Sequence, residues 1–305
     1  MTTPDAAARP LTDEEVEDFR RDGVVCVRGL YTPEWVATIE SALDAVRERP
    51  ALSVPGVSAS FRSDAFTWHF DDAVRDFVLY GPSAHIARQV FGSKKVNLFY
   101  DQIFIKEALT SDLTPWHHDA SFWPLEGDQI ASLWTSVDAV DANSSALEFI
   151  AGSHRWDKLW KPIGVGGIVV SSEPLEALPD IDAHRSDYRI LSWALEPGDA
   201  LLFHARTVHG AQGNKSPDTS RRAIATRWCG DDVVYRPRVQ EMPIPWAHGL
   251  RPGDPLSGPV FPRVLPELDR DALAERMRGP VFPEPELMRQ AIEQMTNAER
   301  VQVRM

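Results

Sequence analysis

Cysteine is scarce: Cys26 and Cys229 are the only two in 305 residues. That excludes a disulfide framework and any cysteine-built zinc site. Positive charge is also in short supply. Lys and Arg number 32 against 45 Asp and Glu, a formal net charge of -13. A chain this acidic is repelled by nucleic acid and by anionic membrane surfaces, so neither is expected as a partner. No apolar run approaches the roughly 18 residues of a membrane-spanning helix. The opening stretch, MTTPDAAARPLTDEEVEDF, lacks the basic-then-apolar order of a secretory signal. Internal repeats and low-complexity tracts are missing as well. These absences point to a cytoplasmic protein whose partner is a small molecule; they say nothing of oligomeric state.

What is present is a sizeable core. Hydrophobic residues make up 43% of the chain, enough for one large domain. LTDEEVEDFRRDG reads as a helix: Thr12 caps it, Glu15 completes a capping box and Gly23 stops it. VVCVRG follows as a strand. TPEWVATIESALDAVRER is a second helix, with Thr32 as cap and Pro33 at its first position. Val36, Ile39, Leu43 and Val46 hold its helical spacing. Residues 51–80 carry no clear period, and PSAHIARQVFG reads as a third helix.

From residue 96 the words become short and β-rich: VNLFYDQIFIKE, IASLWTSVDAV, ALEFI, GIVV, DALLFH and RAIATRWC. In the first of them, alternation puts Phe99, Ile103 and Ile105 on one face and Tyr100, Gln102 and Phe104 on the other. Such a succession of strands indicates a sandwich or jelly roll. The irregular stretch 152–190 is long enough to be a lid. Residues 231–262 are rich in Pro and Gly, and helical stretches close the chain near 266–278 and 284–300. The expected fold is mainly β with flanking helices, as one domain over 1–305. Within it, 1–95 is a helical wrap with the first strands, 96–230 the β core, and 231–305 a C-terminal extension.

PWHHDASFWP, residues 115–124, poses the functional question. Side chains on a strand alternate faces, so His117 and Asp119 point one way and His118 the other. Two ligands on one strand reach the same ion only from a shared face, which favours His117 with Asp119. A third ligand must come from elsewhere. The most suggestive candidate is His209, in GDALLFHARTVHGAQGN. His204 and His209 fall on opposite faces of a regular strand, so only one of them meets the first pair. Two imidazoles and a carboxylate make the facial triad of non-haem Fe(II) oxygenases, and the absence of thiolate argues against structural zinc.

The surrounding words carry a resemblance. TPWHHDASFWPLEGDQIASLWTSVDAVDANSSALEFIAGSHRW and, later, LEPGDALLFHARTVHGAQGNKSPDTSRRAIATRW resemble the phytanoyl-CoA dioxygenase family. The likeness runs from Asp101 to Trp228, and the N-terminal helix with DGVVCVRGLY resembles the family's opening; the last 70 residues carry none. The resemblance implies a double-stranded β-helix (jelly-roll, cupin-like) core, with iron held by His117, Asp119 and His209 as the catalytic centre. It implies Fe(II), 2-oxoglutarate as co-substrate and O2. His118 then takes the variable middle position, touching co-substrate or lining the wall.

The far carboxylate of 2-oxoglutarate needs a fixed cation, and arginine supplies a bidentate fork. In the family this Arg lies a little beyond the distal His, where Arg221 and Arg222 both qualify. Arg221 shares a strand face with Ala223 and Ala225, which leave room for a ligand. Arg222 shares the other with Ile224, Thr226 and Trp228, which pack. The family position also matches Arg221, the preferred anchor. Gln102 and Trp134 match family positions near the co-substrate. Phe122 and Trp123 follow the metal strand and are candidate walls of the substrate pocket, and Arg206 is a candidate for an anionic substrate group.

The implied chemistry is decarboxylation of 2-oxoglutarate to succinate and CO2 coupled to oxidation of an unactivated C–H bond of a metabolite. Asp119 fills the place that halogenases of this general type leave for chloride, so hydroxylation or a related oxidation is expected over chlorination. Desaturation, epimerisation and ring formation start from the same bond. CoA is a poor fit, because its phosphates want clustered Lys and Arg. The alternatives are a jelly-roll metalloenzyme that does not use 2-oxoglutarate, such as an isomerase, and a non-catalytic binding protein on the same scaffold.

Overall fold

The computed structural model describes residues 9–48, 60–164, 174–238, 242 and 244–279. Helix α1 (Asp13–Asp22) precedes β1 (Val24–Val27), and α2 (Pro33–Arg47) precedes β2 (Phe61–Ala65). Helices α3 (Asp72–Tyr80) and α4 (Ser83–Phe91) lead into β3 (Val96–Lys106) and β4 (Thr114–His117). The strands β5 (Leu125–Glu126), β6 (Ile130–Ser136), β7 (Leu147–Ile150) and β8 (Ile190–Ser192) follow. The core ends with β9 (Ala200–His204), β10 (His209–Ala211) and β11 (Arg221–Cys229). Beyond it lie β12 (Val234–Tyr235), β13 (Arg263–Leu265) and α5 (Arg270–Arg278).

The first two helices start and stop as their sequences dictate. Thr12 and Glu15 form the capping box of α1, and Gly23 closes it at φ 77. A Cβ at Gly23 would run into His154 and Thr207, so close approach as well as the left-handed backbone demands glycine. Thr32 caps α2, with Pro33 opening its first turn.

Two facing sheets make the barrel, and β5 pairs with β12 apart from them. The larger runs β1-β9-β6-β11-β3-β13, with β2 also paired to β3; the smaller runs β4-β10-β7-β8. Their facing surfaces meet through Trp134, Ala223, Ala225, Leu201 and Phe203 on one side and Leu147 and Phe149 on the other. The outer face of the large sheet, with Ile103, Ile105, Leu133, Leu202, Ile224 and Trp228, is buried under Phe19, Trp35, Ile39, Leu43 and Phe77 of α1–α3. Burying these large apolar side chains, at about 1.5–3 kcal/mol each, holds the helical wrap to the barrel. This is the expected mainly β jelly roll with flanking helices.

Several expectations need correction. Phe99 does not share a face with Ile103 and Ile105. The β3–β11 register skips it, pairing Arg227 with Tyr100 and Trp228 with Leu98. The bulge turns Phe99 into the aromatic cluster of Tyr100, Trp123 and Phe261. Residues 60–80 hold β2, which alternates poorly, and α3, whose buried Val74, Phe77 and Val78 keep helical spacing behind the cap Asp71. The helix expected from residue 266 begins at Arg270, behind Asp269 as cap. The words GIVV and 284–300 lie outside the described residues.

Described parts of the expected lid, with Ile181, Leu178 and Tyr188, pack on Trp116 against the outer side of the small sheet. The C-terminal part docks through α5: Arg276 donates to His69 Nδ1 at 2.5 Å, and the His69 ring lies between Trp68 and Trp246.

Candidate active site

Strand β4 ends at His117, and Asp119 opens the short 3-10 turn Asp119–Ser121. On the neighbouring strand, His209 is the direct register partner of His117. The ligand atoms of His117, Asp119 and His209 all lie within 4.8 Å of one another. Asp119 Oδ1 is 3.6 Å from His117 Nε2 and 4.0 Å from His209 Nε2.

The hydrogen bonds behind the rings fix their tautomers. His117 Nδ1 lies 2.8 Å from Pro115 O, and His209 Nδ1 lies 2.9 Å from Thr207 O. A carbonyl can only accept, so both Nδ1 atoms carry hydrogen, and each ring turns its Nε2 toward the cluster. Burial lowers the His209 pKa to about 4, and His117 adds to the shift, so the ring is neutral. Burial by itself would raise the Asp119 carboxyl. The neighbouring His117, His209 and Arg227 outweigh it and hold Asp119 well below the usual carboxylate range. Ser132 Oγ donates to Asp119 Oδ2 at 3.3 Å, leaving Oδ1 for the imidazole side. Two imidazoles and one carboxylate, converging from one side, suit a divalent iron.

Thr207 ties this cluster to the helical wrap. Its hydroxyl donates to Gly23 O at 2.7 Å, while its carbonyl accepts from His209. Phe149 and Phe203 flank the His209 ring at 5.7 and 4.8 Å between centroids.

His118 turns the opposite way, as alternation requires. Its Nε2 accepts from the Trp160 backbone N–H at 3.1 Å, on the face away from the cluster. Burial, then the neighbouring His117, depresses its pKa to about 3. The folded value lies below the ordinary one near 6.5, so the neutral ring stabilises the fold above about pH 6.5. That contribution drains away as pH falls toward 3. Melting curves of metal-free protein should therefore shift down between pH 7 and 4. The shift should be smaller in His118→Gln, which keeps an acceptor but has no proton to gain; equal pH profiles would contradict this role.

The two arginines separate cleanly. Arg222 Nη atoms bond Glu40, Asp44 and Asp138 at 2.7–2.9 Å, clamping α2 to the barrel. Arg221 is 2% exposed, on the inner face. Among the described residues its side chain makes no hydrogen bond or ion pair, and its buried Nε has no partner. Its guanidinium lies 5.3 Å from the Trp134 ring centre, and burial lowers its pKa to about 10. Directly across the strand pair stands Lys106, 0% exposed. Its Nζ donates to Gln212 O at 2.8 Å and Ser145 Oγ at 3.1 Å. Burial, then the Arg221 charge, pushes its pKa down to about 6. A buried guanidinium beside a buried lysine, with no ion pair to either among the described residues, is costly unless an anion joins them, and such an anion would favour the charged form of the lysine.

Gln102 stands on the inner face, but its amide is occupied: it donates to Ser63 Oγ at 2.8 Å and accepts from Arg227 at 3.0 Å. Trp123 is buried and donates to Tyr100 Oη at 3.0 Å, as a core residue. Phe122 is partly exposed, 5.7 Å from the His117 ring, and can wall a pocket. His204 takes no part; its Nε2 bonds Asp128 O at 2.8 Å.

A family model described as "Phytanoyl-CoA dioxygenase (PhyH)" matches residues 19–223. The chain belongs to the phytanoyl-CoA dioxygenase family. Among curated members, an "Ectoine dioxygenase" of Stutzerimonas stutzeri is 24% identical over 257 residues, covering 77% of this chain and 83% of that protein. A "Probable phytanoyl-CoA dioxygenase" of Caenorhabditis elegans is 23% identical over 178 residues, 56% of this chain. The chain spans 55% of that relative's length.

Among solved structures, the "non-heme alpha ketoglutarate dependent carbocyclase SnoK" superposes with TM-score 0.68 at 24% identity, covering 83% of this chain and 96% of its own. The epimerase SnoN, solved with Fe3+, alpha ketoglutarate and nogalamycin RO, gives 0.68 at 24% identity over 83% and 98%. The family fold is therefore this chain's fold. No helix among the described residues is long and apolar enough to cross a membrane.

Proposed function

We propose that this protein is an iron(II)- and 2-oxoglutarate-dependent dioxygenase that oxidises a C–H bond of a small metabolite. One observation carries the reading. A cluster of two imidazoles and a carboxylate shares the barrel interior with a buried arginine that makes no ion pair among the described residues. Ferrous iron, with O2 and 2-oxoglutarate, supplies a C–H oxidation that releases succinate and CO2.

This chain's residues bind and orient. His117, Asp119 and His209 are the metal ligands. Arg221 takes the distal carboxylate of 2-oxoglutarate, Trp134 lies against its guanidinium, and Lys106 adds positive charge to the same end. Ser132 keeps one Asp119 oxygen turned away. Gln102 acts one step back, through the Arg227 guanidinium it holds. Phe122 walls the substrate side.

The substrate is a small molecule, in keeping with relatives named for ectoine and for steps of nogalamycin biosynthesis. Hydroxylation is the simplest outcome, since Asp119 keeps its coordination place. We read the whole chain as one domain, and a cytoplasmic location suits its two unpaired cysteines. Arg221 and Lys106, which make no ion pair among the described residues, disfavour an isomerase that uses no co-substrate. In air, iron-loaded protein should convert 2-oxoglutarate to succinate, slowly even without the prime substrate, and metal-free protein should not. Iron-loaded protein that never yields succinate across a metabolite panel would contradict the proposal.

A further inference from the structure

Strand β11 presents a second buried arginine to the barrel interior. Residues 221, 223, 225 and 227 share its inner face, so the strip reads Arg221, Ala223, Ala225, Arg227. It is a short bed floored by two alanines with a cation at each end, and its two ends are not alike. Opposite Arg227 in register stands Ser132, whose hydroxyl holds Asp119. The Arg227 charge is felt by Asp119 and by His209. Arg227 therefore marks the iron end, and Arg221 with Lys106 the far end.

Arg227 is 3% exposed and makes no ion pair among the described residues. Neutral groups hold it. Gln102 Oε1 accepts from Nη2 at 3.0 Å and Ala225 O from Nη1 at 3.2 Å. The Tyr100 and Phe104 rings lie 4.7 and 5.7 Å from its central carbon. Its buried Nε has no partner. Asp119 supplies negative charge nearby but is committed to Ser132 and the two imidazoles.

We infer that Arg227, aimed by Gln102, is a binding residue for the C1 carboxylate of 2-oxoglutarate. The co-substrate would then lie on β11 between two guanidiniums, one for each of its carboxylates. The inference rests on the proposed function and deepens it.

The two ends can be told apart by anaerobic titration of Fe(II)-loaded protein, following the visible charge-transfer band of the chelated 2-oxo acid. The probes are 2-oxoglutarate and 2-oxovalerate, which lacks the distal carboxylate. Arg221→Leu should weaken 2-oxoglutarate strongly and 2-oxovalerate little. Arg227→Gln should weaken both by the same factor, about ten- to a hundredfold for one charge-assisted contact, and shift the band's energy. Arg227→Lys, which keeps the charge and most of the bulk, should fall between and covers the case of a misfolded Gln variant.

A wild-type band with both acids binding the Arg227 variants as tightly as wild type overturns the inference and leaves Arg227 as a neighbour of Asp119 only. Loss of 2-oxoglutarate binding alone also overturns it, by placing Arg227 at the distal carboxylate. No band in the wild type brings down the proposed function, and this inference with it.

Discussion

Replacing Arg221 by leucine is expected to do two opposite things. Affinity for 2-oxoglutarate should fall by about thirtyfold to a few thousandfold, because a buried charged contact of about 2–5 kcal/mol is lost and each 1.4 kcal/mol is tenfold. The metal-free, co-substrate-free protein should melt higher. Arg221 is buried with no ion pair among the described residues, beside Lys106, so leucine removes an uncompensated charge and relieves a like-charge neighbour. A purely structural arginine would behave in reverse, and Arg222 is the control. Its partners Glu40, Asp44 and Asp138 lose their common cation in Arg222→Leu, at roughly 1–2 kcal/mol, more than one surface pair contributes. Its melting point should drop while 2-oxoglutarate affinity stays put. Calorimetry and a 2-oxoglutarate titration on both variants decide it; an Arg221→Leu protein that binds 2-oxoglutarate normally contradicts the anchor.

Asp119→Ala should abolish turnover. It removes the only carboxylate of the cluster and leaves two imidazoles, which carry no negative charge to balance a divalent ion. Loss of an outer partner of a metal site typically costs ten- to a hundredfold in affinity, so loss of a ligand should exceed about a hundredfold. Some stability should go with it, because Ser132 and the neighbouring Arg227 lose the carboxylate they face, so the variant's fold is checked by circular dichroism before the titration. Iron titration of the purified variant checks this. Iron affinity close to wild type would mean that the ion sits elsewhere.

Much of the site was legible because strands impose a period of two. Alternation separated His117 and Asp119 from His118, and Arg221 from Arg222, and both pairs point as alternation demands. The caps Thr12 and Thr32 were legible because capping is local chemistry. Strand β2 was not. FRSDA alternates poorly, and only its pairing along β3 makes it a strand. Helix α3 had a signal, Asp71 as cap and Val74, Phe77 and Val78 at helical spacing, but its 9 residues are too few to stand out from the mixed sequence on either side. Bulges are equally silent in sequence, which is why Phe99 was misplaced.

Two residues were missed for a different reason. Arg227 has the same parity as Arg221 and stands in the same word, RRAIATRW, so alternation puts it on the same face, but the distal carboxylate calls for a single arginine and Arg221 met that need. Lys106 ends the face that carries Gln102 and Phe104, but a lysine there reads as solvated because lysine is seldom fully buried.

The most direct measurement is an anaerobic one. Fe(II), then 2-oxoglutarate, is added to the metal-free protein while visible absorption is recorded. One ferrous ion per chain should bind, and 2-oxoglutarate should then raise a charge-transfer band that saturates at one equivalent and is absent from Asp119→Ala. Ferrous ion that binds without any band would contradict the co-substrate, and failure to bind ferrous ion at all would contradict the centre itself.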